Sequence, residues 1–166
     1  MDSHDGDSGA YVYVTYIRTT PDLLWQALTA PEFTRRYWGV TFETDWAVGS
    51  PMVWDEGGRT TVDPEQRVLA AEPGRLLSYS WHTFTPAWAQ AAGIEDETYV
   101  RLVEEGRSKV TYAIEPAGDM VKLTVVHDDL VPGGTIRALV GEGWPALVSS
   151  LKSLLETGEE LPEVPR

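Results

Sequence analysis

The chain has 166 residues, 42% of them hydrophobic and 23% charged, which describes one globular domain with a single core. Its 13 basic and 26 acidic residues leave a net charge of −13, a balance that speaks against nucleic acid and anionic membrane surfaces, both of which need a basic patch. No apolar run reaches the ~20 residues of a membrane helix, and a chain without cysteine has no disulfide, thiol nucleophile or thiolate metal site.

Residues 1–10 are mostly Asp, Ser, Gly and His and read as a disordered polar tail. No basic segment leads into an apolar one there, so the expected location is cytoplasmic. Residues 11–18 alternate β-formers and read as a strand. Thr20-Pro21-Asp22 is a helix start: a hydroxyl cap, a proline at the first helical position and an acid facing the dipole. Leu24, Trp25 and Leu28 share one face of that helix, Ala30-Pro31 breaks it, and residues 32–37 form a second short helix with Phe33 and Tyr37 one turn apart.

Strands follow over residues 40–44, 51–55, 65–71 and 76–82, with turns expected at Gly57-Gly58 and Asp63-Pro64 and a hairpin at residues 72–75. Residues 83–106 are the least regular stretch, expected to be either a functional lid or only partly ordered, with a short helix near residues 99–104. Residues 108–115 and 120–128 are the last strands. Pro132-Gly133-Gly134 leads into a long amphipathic helix. Its stripe runs Val140, Trp144, Leu147, Val148, Leu151, Leu154 and Leu155, with Lys152, Ser153 and Glu156 opposite and Gly158 as the stop. Pro145 predicts a kink or a fresh helix start between Gly141 and Pro145. The resulting α+β fold is a helix grip: a curved antiparallel sheet of about seven strands around the C-terminal helix, with two short helices after the first strand. Residues 11–158 form the single domain, and residues 159–166 are a C-terminal tail.

Three segments, Ala27-Leu28-Thr29-Ala30-Pro31-Glu32-Phe33, Val121-Lys122-Leu123-Thr124-Val125-Val126-His127-Asp128 and residues 143–158, resemble START-like (SRPBCC, Bet v 1-like) proteins. Within that superfamily the chain is similar to the branch named for the activator of heat-shock protein 90 ATPase, C-terminal-domain-like. The resemblance spans residues 11–158. It implies a seven-stranded sheet gripping the long helix over an apolar cavity. The superfamily includes lipid and hormone carriers, polyketide cyclases and co-chaperones, so fold does not decide function.

Alternation assigns the cavity wall. Charged residues pointing out place Val121, Leu123, Val125 and His127 inward on one strand and Val110, Tyr112 and Ile114 inward on its neighbour. Leu77, Tyr79 and Trp81 face in, with Ser78, Ser80 and His82 on the solvent face. Met52 and Trp54 face in, Phe33, Tyr37 and Trp38 close one end, and Trp144, Leu147 and Leu151 form the helix side. Each aromatic residue has a competing reading as ordinary packed core.

His127 is the one histidine placed inside, a weak candidate for catalysis. Asp55-Glu56 and Asp128-Asp129 read as solvated turns. No metal-ligand spacing, nucleophile elbow or phosphate-binding loop occurs, so neither a metal nor a cofactor is expected. The leading reading is a binding protein for a small hydrophobic or aromatic molecule. The alternatives are a cyclase or dehydratase using His127, and a module interacting with a chaperone through its surface. Homodimerisation is open.

Overall fold

The computed structural model describes residues 9–162; residues 1–8 and 163–166 of the two expected tails lie outside the described residues. Seven strands, β1 (Tyr11–Ile17), β2 (Val40–Glu43), β3 (Pro51–Glu56), β4 (Arg59–Glu72), β5 (Leu76–Ser80), β6 (Lys109–Ala117) and β7 (Met120–Asp128), form one antiparallel sheet ordered β1-β7-β6-β5-β4-β3-β2. Helices α1 (Pro21–Thr29) and α2 (Pro31–Tyr37) follow β1, and α5 (Thr135–Thr157) ends the fold. The stretch between β5 and β6 is more regular than expected, because it contains two helices, α3 (Pro86–Ala91) and α4 (Asp96–Glu105). Helix α5 lies against β1 and against α1, α2 and α4, which is the helix-grip arrangement. None of the described helices is long and apolar enough to cross a membrane.

Local chemistry explains most boundaries. Thr20 accepts a hydrogen bond from the Leu23 amide through Oγ1 at 3.2 Å, with Pro21 in the first turn of α1. The Tyr37 hydroxyl donates to the Ala27 carbonyl at 2.8 Å and locks α2 onto α1. On β6 as far as Ile114, and along all of β7, the alternation holds: Val110, Tyr112, Ile114, Val121, Leu123, Val125 and His127 are all buried. Core burial is continuous from these strands to Leu151, Val148 and Trp144 of α5.

Three local expectations are corrected. Asp63-Pro64 is not a turn between strands but lies within β4, whose pairing with β3 jumps from Val53↔Val62 to Pro51↔Arg67. Buried Gln66 holds that bulge: its Nε2 donates to the carbonyls of Met52 and Thr61, both at 2.9 Å, and its Oε1 accepts from the Thr83 amide at 2.8 Å.

Ser78, Ser80 and His82, expected on the solvent face, are buried. The serine hydroxyls fold back onto neighbouring strands, with Ser78 donating to the Val110 carbonyl at 2.9 Å and Ser80 to the Glu65 carbonyl at 2.8 Å. Strand β5 ends at Ser80, so alternation no longer governs His82. Its ring packs 5.0 Å from Trp54, 5.0 Å from Phe84 and 5.1 Å from Trp88.

Finally, of the kink or fresh start expected between Gly141 and Pro145, the fresh start does not occur: α5 begins at Thr135 and continues through the proline to Thr157. Its start comes from outside its own sequence. Glu105 accepts from the Thr135 amide at 2.7 Å and the Ile136 amide at 2.9 Å, serving as a cap from α4. A Cβ on Gly134 would stand 2.8 Å from the Val131 carbonyl oxygen as well as 2.9 Å from the same carboxylate, and the backbone contact is the one that calls for glycine. The far end closes at Gly158 in the left-handed conformation, φ 86°.

Candidate ligand-binding cleft

Most of the side chains expected to line a cavity are buried in the core cluster between sheet and helix, and an open cleft lies at one end. Met52, Trp54, Tyr79, Tyr112, Val125 and Leu151 are buried core side chains. Trp54 lies 4.8 Å from Phe42 and 5.8 Å from Tyr79, edge to face in both cases, and the hydroxyls of Tyr79 and Tyr112 share a hydrogen bond of 2.9 Å. Burial pushes both phenols well above the usual tyrosine range. Phe33 is half-buried against the same core.

Trp38, Trp81, Trp144 and Leu147, by contrast, line a cleft of about 280 Å³. Trp38 and Trp81 are nearly parallel at 5.9 Å, and Trp144 stands 6.0 Å from the first and 5.7 Å from the second. Leu139, Val140 and Gly143 continue the wall along α5, and Phe84, Trp88 and His82 form it on the side of α3. Glu56, at the end of β3, also lines the cleft.

Sequence reading missed Trp88, His82 and Glu56. Trp88 rides on a helix that was expected as irregular chain. For Glu56 the signal was present: alternation that puts Met52 and Trp54 on the inner face puts Glu56 there too. Burial raises its pKa above the ordinary carboxylate range, against the opposing charge of Arg59.

Behind this wall sits His127, fully buried, its ring 4.6 Å from Trp81. Its two nitrogens have fixed roles. The Trp144 indole N–H can only donate, and it does so to His127 Nδ1 at 3.1 Å. The proton of the neutral ring therefore sits on Nε2, which donates to Ser108 Oγ at 2.7 Å. His127 has no lone pair left with which to take a proton from Ser108, so the pair is not an activated nucleophile. A proton added at Nδ1 would confront the indole N–H. Burial, with His82 nearby, holds the pKa down to about 3. The two hydrogen bonds tie His127 to Trp144 on α5 and to Ser108.

His82 is also kept neutral, its pKa lowered to about 4 chiefly by burial. Its Nδ1 faces the Thr83 carbonyl at 2.9 Å and therefore carries the proton, which leaves Nε2 as an acceptor. The segment carrying Trp81 and His82 is clamped by Arg107. That guanidinium donates to the Trp81 carbonyl at 2.6 Å and to Thr83 Oγ1 at 2.8 Å, and pairs with Asp63 at 3.3 Å. Among the described residues no group of three or more His, Asp or Glu side chains is arranged to hold a metal ion.

Comparison with known proteins bears on the fold. The model of the family described as Activator of Hsp90 ATPase homolog 1-like protein matches residues 18–156. The Mesorhizobium loti protein MLL2253 superposes with a TM-score of 0.68 at 24% identity, covering 88% of this chain and 96% of that one. The Aha1 dimer from Colwellia psychrerythraea gives 0.62 at 18% identity, covering 90% and 97%. CalU16 from Micromonospora echinospora gives 0.64 at 19% identity, covering 92% and 77%. None of the curated proteins matches the chain.

Proposed function

The chain belongs to the family of Activator of Hsp90 ATPase homolog 1-like proteins, and on that footing we propose that it binds a small apolar or aromatic molecule in the cleft beside α5. The observation that carries this reading is the cleft itself. Three tryptophans 5.7–6.0 Å apart line open space, where a packed core would have filled it. Its volume of about 280 Å³ suits a compact ring system better than a long lipid chain, being at the low end of ligand pockets. Turnover through His127 has the committed lone pair against it.

Leu147→Trp tests the reading. Leu147 is half-buried and lines the cleft, so a larger side chain has room to enter it. The expected result is unfolding free energy within ~1 kcal/mol of the parent, against the 1–3 kcal/mol that overpacking of a filled core costs. A neutral environment-sensitive dye such as N-phenyl-1-naphthylamine, bound saturably by the parent, should lose most of its signal in the variant. Strong destabilisation together with unchanged dye binding would remove the cleft as the site.

The family's description favours a second reading, contact with a chaperone through the surface. The outer face of β1 carries Val12, Val14 and Tyr16, exposed at 56%, 46% and 46%, as the apolar patch such a contact would use. Tyr16→Glu should abolish co-precipitation with an Hsp90 chaperone while leaving dye binding intact; retained co-precipitation would exclude this face.

A further inference from the structure

We propose that the cleft selects an organic cation, a small apolar molecule carrying one ammonium group, which pairs with Glu56 and lies against the tryptophan faces. The inference rests on the binding reading above and adds the charge of the ligand.

Four observations converge on it. Glu56 continues the inner face of β3 after Met52 and Trp54, so a carboxylate stands where alternation calls for an apolar residue. It has no ion pair among the described residues, and the cationic group nearest to it in charge effect, Arg59, is exposed across the Gly57-Gly58 turn. No lysine or arginine lines the cleft. The other titratable group there, His82, presents its unprotonated Nε2, so both titratable groups of the wall are acceptors at neutral pH.

The aromatic part supplies the rest of the recognition. Indole is the strongest cation–π partner among the side chains, and a cation gains most where the face is shielded from water. Trp38, Trp81, Trp88 and Trp144 all line the same space as Glu56. A partly buried carboxylate held by no ion pair, with only the exposed Arg59 opposite it on β4 for charge, is costly, and a ligand cation lowers that cost on binding. An anionic ligand would instead meet Glu56 with no cationic side chain in the wall to offset it. The net charge of −13 raises the local concentration of cations at the mouth.

The test compares three probes of similar shape: benzyltrimethylammonium, its neutral carbon isostere neopentylbenzene, and phenylmethanesulfonate. Binding is read by tryptophan fluorescence on the parent, on Glu56→Gln and on Leu147→Trp. In the parent, the cation should bind about tenfold or more tighter than the neutral isostere, and the anion should be weakest. Glu56→Gln keeps the shape and removes the charge, so the cation should weaken by about tenfold while the neutral probe moves by less than about threefold. Leu147→Trp should weaken both. Equal affinity of cation and isostere in the parent, or a preference unchanged in Glu56→Gln, overturns the cation assignment while the apolar cleft stands. Absence of saturable binding by every probe overturns the cleft itself, and the assignment with it.

Discussion

Leu151→Ala should lower the free energy of unfolding by about 2–5 kcal/mol. Leu151 is 1% exposed on the face of α5 that meets the sheet, and truncation leaves a void that its neighbours on rigid strands cannot close. Ser153, two residues on, faces the other way. Its hydroxyl donates to the Glu159 carbonyl at 2.7 Å on the exposed side, so Ser153→Ala should cost under ~1 kcal/mol. Urea unfolding of the two variants measures the contrast. Similar small losses in both would mean that the buried stripe of α5 contributes little to holding the fold.

Acid should unfold this protein unusually early, and two histidines are the reason. In the unfolded chain both titrate near ~6.5. Folded, His82 is held to about 4 and His127 to about 3, so the native state refuses protons that the unfolded state accepts. The stabilisation is complete above ~6.5 and is lost as pH falls toward the folded values, at up to about 1.4 kcal/mol per unit for each ring. Between pH 7 and pH 4 the loss should amount to several kcal/mol. Glu56, raised by burial, acts in the opposite sense and blunts the effect at the acid end. His127→Asn keeps an acceptor for the Trp144 indole and removes one titration. Its stability should be lower at pH 7 but fall less steeply below ~6.5. A slope identical to the parent's, or an imidazole of ordinary pKa by NMR, would contradict the buried neutral assignment.

The legible part of the structure was the part governed by period. Strict alternation on β6 and β7, and the helical stripe from Val140 to Leu155, are short-range patterns whose burial follows from spacing alone. So does the cap at Thr20, where hydroxyl, proline and acid sit side by side. What escaped reading was built by partners distant in sequence. The start of α5 depends on Glu105, thirty residues upstream of Thr135. The interior of β4 depends on Gln66 bonding back to Met52 and across to Thr83. His82 was misplaced because a strand ended one residue before Trp81, and the helices that cover it were not foreseen. The cleft shows the same division. Trp81 was named from alternation, Trp144 and Leu147 from the stripe and Trp38 from the short second helix, whereas Trp88 and His82 join them only through the α3 segment. Glu56 was readable and was passed over, because an acid next to a glycine pair resembles a turn.

Strand β1 pairs with β7, Tyr11 opposite His127 and Ile17 opposite Val121, across almost the whole length of the chain. Contacts of such wide sequence separation make for slow folding, because the chain must lose the entropy of closing a very long loop before the pairing returns anything. During synthesis β1 has no partner until β7 has left the ribosome, and its Val12, Val14 and Tyr16 wait with an open hydrogen-bonding edge. Helix α5 is made later still. Trp144 therefore reaches His127 only after every strand of the sheet has been made, and the cleft cannot form before then. Any interruption of translation before that point leaves an unpaired strand and an uncovered sheet, a state that invites aggregation.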